Sequence, residues 1–290
     1  MFLKENPMIR VRNTAPQFAP LFENGQLQMA AWEAYMETVY PGLGEILRED
    51  LQSYLDAGYS YERDILPSIA LASQPGELAQ LEEHFLRLTE GLDARIEACT
   101  GKRLDVDITL YLGLNNSAGW VTSFAGRDCV LLGAEKILSL GWQTPRRLAG
   151  LIYHELGHVY QAQHGVLERD EAGEGLLWQL FCEGIAMHFE QLLVGDPDFF
   201  HQDENGWKAW CDKHLAQIVR DFEAERHITD PQKQRFFGDL CDYHGHGDVG
   251  YYLGACWIAA LTKTHPLEEI VCMDVPQARR YYIEFLQSFL

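Results

Sequence analysis

The sequence predicts an α+β fold: a small antiparallel sheet between a helical N-terminal region and a helical C-terminal lobe. Three observations carry that expectation. Apolar residues recur at helical spacing over the first hundred positions, a strict alternation follows from Leu104 to Leu112, and helical spacing returns after Gly133. With 290 residues, 47% of them hydrophobic and 23% charged, the chain has the composition of a folded globular protein and can bury a substantial core.

In the N-terminal region the helical sets are Leu43, Ile46, Leu47, Leu51 and Leu55, then Leu78, Leu81, Phe85, Leu88, Leu92 and Ile96. The alternating stretch sets Leu104, Val106, Ile108, Leu110 and Leu112 against Asp105, Asp107, Thr109 and Tyr111, which predicts a strand with one buried face. Two further strands, Trp120 to Phe124 and Cys129 to Leu132, flank Ala125-Gly126-Arg127-Asp128, a hairpin-turn sequence. No internal repeat or low-complexity tract interrupts the pattern. The organisation expected is a helical region over residues 1–100 and a catalytic region over 101–290, folding as one cooperative unit.

Composition also limits partners. With 43 acidic and 23 basic residues the formal charge is −20, a field that repels phosphate backbones and anionic lipid. Neither a nucleic acid nor a membrane is an expected partner; the acidity either favours cationic peptides or, more commonly, serves solubility alone, and the oligomeric state is left open. The opening MFLKENPMIRVRN has no apolar signal core, and the longest nearly apolar stretch, Leu253 to Leu261, is too short to span a bilayer, so the expected location is cytoplasmic. Seven scattered cysteines without a C-x-x-C pair predict reduced, structural thiols.

One helix is clearly punctuated. Thr144 can cap its start, Pro145 suits the first helical position, and Gly165 suits a left-handed position after its end. Inside it stands His154-Glu155-Leu156-Gly157-His158. Four residues advance a helix by about 400°, so the two imidazoles project from one face about 6 Å apart and can converge on one metal ion. Tetrahedral zinc suits such nitrogen ligands. Glu155 falls in the apolar stripe with Leu148, Leu151, Ile152 and Val159, where an unpaired carboxylate would be costly. A zinc-bound water is a fitting partner, with Glu155 as its general base.

A catalytic zinc site needs a third protein ligand. The segment Gly175 to Leu193 predicts a second amphipathic helix after an acidic, Gly-containing loop from Glu168 to Glu174. If the two helices form an antiparallel hairpin, Glu183 is level with the histidine pair, whereas Glu190 on the same face lies about 10.5 Å too far along. His164 and His188 are weaker ligand candidates. Gly157 and Gly184 each lower helix stability by about 1 kcal/mol, a cost tolerable where helices must approach closely. A second metal at His244, His246 and Asp248 would demand an irregular loop.

HELGH followed by EGIA resembles the glutamate zincins, metallopeptidases whose third ligand is a downstream helical glutamate. AGWVTSFAGRDCVLLG and GYYLG further resemble a family of predicted bacterial zinc-dependent proteases, the likeness covering Leu104 to Leu261. The resemblance implies a zincin-like fold, one zinc ion per chain on His154, His158 and Glu183, and a peptide or protein substrate laid along the edge strand Gly119 to Phe124. It makes Tyr251 the first choice for oxyanion donor, with His246, His244 and Tyr252 as alternatives. The chain departs from the thermolysin-like pattern at Met187, where that pattern has an acid that orients a histidine. The leading expectation is a zinc metallopeptidase; a hydrolase of non-peptide amides and a non-catalytic zinc-binding regulator are the alternatives.

Overall fold

Ile9 and Val11 alternate with Arg10 and Arg12 in β1 (Ile9–Asn13), so the region expected to be helical opens on a strand. The computed structural model describes residues 9–166, 174–238 and 241–289. The chain divides into two compact units, Met1–Glu155 and Leu156–Leu290, and the division falls inside one continuous helix. The helices before residue 100 thus belong with the sheet.

In the first unit a two-residue hairpin, β2 (Phe22–Glu23) and β3 (Gln26–Leu27), leads into α1 (Met29–Val39) and α2 (Leu43–Asp56). A wide turn at Tyr61–Ile65 precedes α3 (Leu66–Leu71). The apolar period from Leu78 to Ile96 is shared by two helices, α4 (Pro75–Thr89) and α5 (Leu92–Thr100). Gly91, at φ 66°, adopts the left-handed conformation that breaks them.

Next come β4 (Val106–Tyr111), β5 (Gly119–Phe124), β6 (Arg127–Gly133) and α6 (Ala134–Ser139). The sheet order is β1-β4-β6-β5. It is not the antiparallel sheet expected: β1 pairs parallel with β4, β4 pairs parallel with β6, and only β5 and β6 are antiparallel. The chain passes from β4 out to the sheet edge as β5 and returns inside it as β6, so β6 must run the same way as β4. The turn of that hairpin is only Ala125 and Gly126, both at positive φ (52° and 78°), which suits the twist of the flanking strands.

Strand β4 is also buried on both faces rather than one. Thr109 and Tyr111 are as inaccessible as Ile108 and Leu110 because each polar tip has a partner: Tyr40 for Thr109, Trp120 for the Tyr111 hydroxyl. Asp107 remains near the surface, paired with Arg127. The mixed α+β class holds; the direction of the strands does not.

Helix α7 (Pro145–His164) runs from the first unit into the second. The second unit continues with α8 (Leu177–Val194), α9 (Trp207–Glu225), α10 (Val249–Leu261), α11 (Leu267–Ile270) and α12 (Val275–Gln287), the helical C-terminal lobe expected. Asp274 and Gln277 form a reciprocal capping box at the start of α12. Helices α8 and α10 meet backbone to backbone: a Cβ on Gly184 would stand 2.5 Å from the Gly254 carbonyl, and one on Gly254 2.7 Å from the Leu180 carbonyl. Phe181, Trp257 and Tyr282 fill the core beside them. Among the described residues no helix is long and apolar enough to cross a membrane.

Candidate metal centre

Helix α7 begins at Pro145 and ends at His164, the bounds its punctuation predicts. Its first backbone bond runs from the Leu148 N–H to the Thr144 carbonyl. Gly165 serves a different purpose from the one expected. Its φ is not positive; a Cβ there would stand 2.0 Å from the Val271 carbonyl, which also accepts the Val166 N–H at 2.7 Å. The glycine is required by close approach of the chain, not by a left-handed cap.

Leu148, Leu151, Ile152, Leu156 and Val159 are buried, and Glu155 is buried with them. His154 is also buried, while His158 and Glu183 are partly accessible. One ligand atom from each of His154, His158 and Glu183 lies within 4.8 Å of the other two, and this is the one such group of histidine, cysteine and acidic side chains among the described residues. The spacing fits a metal. Two ligands about 2.0–2.1 Å from a tetrahedral centre stand about 3.3 Å apart, and His158 Nε2 lies 3.3 Å from Glu183 Oε2. Two neutral nitrogens and one carboxylate form a donor set that zinc accepts with a vertex to spare.

Two features let these side chains meet. A Cβ on Gly157 would lie 2.7 Å from the Ala186 Cα and 3.1 Å from the Phe189 Cβ, so α7 and α8 touch at backbone distance next to His158. Gly184, expected to serve the same approach, instead faces α10. At the start of α8, Glu174 pairs with Arg226 and Arg279, and the Leu176 N–H donates to the Arg226 carbonyl. The acidic loop expected from Glu168 to Glu174 lies outside the described residues except at Glu174.

Glu155 rests against a strand. A Cβ on Gly119, the first residue of edge strand β5, would stand 2.7 Å from Glu155 Oε1 and 2.8 Å from its Cγ. Sequence reading placed Gly119 at this edge without noting its importance. The available signal was its type: glycine in a strand often marks a place where another group approaches the backbone.

The remaining candidates have other settings. His164 packs against Tyr160, and burial pushes the His188 imidazole below its ordinary pKa; neither belongs to the ligand group. His244, at φ 54°, and His246 flank a tight turn closed by the Tyr243 and His246 backbones, and His246 stacks on Trp210 at 3.9 Å. With Asp248 they form no ligand group among the described residues. Tyr252 is buried, its hydroxyl donating to Asp212 at 2.7 Å, so it anchors α10 in the core. Tyr251 is half-buried on the first turn of α10 and edge-on to Phe237. It precedes Gly254, which touches Gly184 beside Glu183, by about one helical turn. Met187 is fully buried and accepts from Gln202, so no acid occupies that position.

Glu190 is not a ligand, as its height along the helix predicts. It is fully buried, with one oxygen 2.9 Å from His201 Nδ1 and the other accepting the His201 N–H at 2.9 Å. All seven cysteines are free of disulfides, and burial pushes the Cys182 thiol, beside Glu183, up to about 12. Compared with known proteins, the chain matches no family model, no curated protein and no solved structure.

Proposed function

We propose that this chain is a zinc-dependent metallopeptidase with a zincin-like arrangement. The observation that carries the reading is the convergence of His154, His158 and Glu183 on one point, with Glu155 buried on the intervening turn. Bound by these three side chains, zinc would acidify a water molecule and polarise a carbonyl group.

The chain's own groups perform the proton transfers. Glu155 takes a proton from the attacking water and delivers it to the leaving amine. Its burial against β5 holds it in place beside the metal-binding histidines. Tyr251, on the helix that meets α8 beside Glu183, donates to the developing oxyanion; His246 or His244 is the alternative donor. Strand β5 pairs on one side with β6 and ends the sheet on the other, so an extended peptide can add to it through main-chain bonds. That mode makes little demand on sequence, and the net acidity of the chain favours cationic peptides. An intact Glu155 favours an enzyme over a zinc-binding regulator, because a site without turnover has no use for the base.

The test is metal analysis combined with a mixed peptide library read by mass spectrometry. Wild type should carry about one zinc per chain and generate new peptide termini. Glu155→Gln should keep the zinc and lose about 10³-fold or more in turnover. Undiminished hydrolysis by this variant would remove Glu155 from its role, and cleavage of small amides without any peptide product would move the substrate to the non-peptide class.

A further inference from the structure

The corner between β6 and α6 carries a carboxylate with an unusual set of partners. Glu135 is fully buried, and its two oxygens accept the backbone N–H groups of Gly113 and Asn115, each at 3.0 Å. Its own N–H is a third donor. Burying a carboxylate among backbone amides is costly, and burial outweighs the three donors, holding its pKa above the usual carboxylate range. The contact is tight as well: a Cβ on Gly113 would lie 2.7 Å from Glu135 Oε1.

What this carboxylate holds is the connection from β4 to β5. The same corner grips that connection again, since the Gly133 N–H donates to the Ala118 carbonyl at 3.0 Å. The bare Cα of Gly133 admits the Ser117 carbonyl, which would stand 2.4 Å from a Cβ there. Asn116 fastens the other side, accepting the Leu114 N–H and donating to the Leu47 carbonyl and Asp50. The Ser117 hydroxyl donates to the Gly119 carbonyl at 2.6 Å. The connection ends at Gly119, the backbone against which the Glu155 carboxylate lies.

We propose that Glu135 is a positioning residue for the general base: it fixes residues 113–118, and through them the Gly119 backbone that sets where the Glu155 carboxylate stands. The role rests on the metallopeptidase reading given above. Only a carboxylate fills it, because it accepts from both amides through separate oxygens, whereas a glutamine has one oxygen and would turn an NH₂ group toward the second amide.

The test uses the zinc-loaded full chain. Glu135→Gln and Gly119→Ala should each lower kcat about 10- to 100-fold, with KM changed less and zinc content unchanged, since small displacements of a catalytic group cost about this much. The double variant should be no slower than the slower single one, because both changes act on one coordinate. Multiplying effects, or a wild-type kcat in Glu135→Gln, would overturn the proposal. Should Glu135→Gln fail to fold, Gly113→Ala crowds the same contact without removing the charge and should show the same split between kcat and KM. Amide exchange separates this claim from the reading beneath it. In the variant the amides of Gly113 and Asn115 and those of 119–121 should exchange at least about tenfold faster than in wild type. Unchanged exchange at 119–121 overturns the positioning role even if wild type cleaves no peptide. In that case the peptidase reading fails on its own evidence.

Discussion

Helix α8 carries two buried or half-buried glutamates seven residues apart, each facing a histidine, and they have opposite settings. Glu190 is closed: both oxygens are held by His201, one by the ring and one by the backbone N–H, and neither residue is open to solvent. Glu183 lies 3.3 Å from His158, partly accessible, with His154 within reach of the same point. The first geometry is a clasp for the segment after α8. The second leaves room for an ion. A glutamate deep in an apolar helix is therefore no ligand by itself; a second imidazole one turn from the first, and access from outside, make the difference.

The comparison breaks or holds most visibly with paired truncations. Glu183→Ala should lower zinc affinity by 100-fold or more (order of magnitude), seen as loss of zinc on gel filtration, while the protein stays folded without metal. Glu190→Ala should do the reverse. It removes the acceptor of two buried His201 hydrogen bonds and should cost about 1–3 kcal/mol in denaturant unfolding, with zinc stoichiometry retained in the folded protein. If Glu190→Ala released zinc at native temperature, the two sites would not be separate.

A smaller effect tests the contact that brings α8 to the histidines. Gly157→Ala places a methyl group 2.7 Å from the Ala186 Cα, a backbone atom that cannot swing aside. About 1–3 kcal/mol of destabilisation is expected from such overpacking. Zinc affinity should fall with it, because the ligands sit on the two helices being forced apart. Added zinc should raise the melting temperature of wild type, by about 2.7 kcal/mol of extra stability at 100 times Kd. In Gly157→Ala the same zinc concentration should add less. Equal stabilisation of both proteins would show that the ligand cluster does not depend on this approach.

Much of the centre was legible because its determinants are local. The spacing of His154, Glu155 and His158, the burial of Glu155 in its stripe and the bounds of α7 all follow from helical period and punctuation. Glu183 needed one further step, a count of height along a neighbouring helix, and the group includes it. What failed was non-local. No period in β4 says that its neighbour β6 runs parallel to it, and β1 offers only five residues, two of them arginine. Gly184 marked a close approach but not its partner, and Gly165 marked a cap where the chain makes a contact: Gly165 meets Val271 and Gly184 meets α10, pairings set by chain segments about 70 to 106 residues away. Tyr251 was reached by resemblance alone, and its helix lies in the unit that carries His158 and Glu183.

The smallest expected effect concerns His188, on α8 between the two glutamates. Burial lowers its pKa in the folded chain below the ordinary imidazole value. The unfolded chain therefore binds more protons than the folded one once the pH falls below about 6.5, the unperturbed value. Its contribution is full at neutral pH and declines as the pH drops from about 6.5 toward the folded pKa. One proton limits the slope to about 1.4 kcal/mol per pH unit. Replacing His188 with glutamine, which does not titrate, should flatten the stability profile in that acidic window and leave the slope above pH 7 unchanged. Urea unfolding at several pH values between 5 and 8 reads this directly. A slope between pH 5 and 6.5 identical to wild type would mean that another group carries the acid sensitivity.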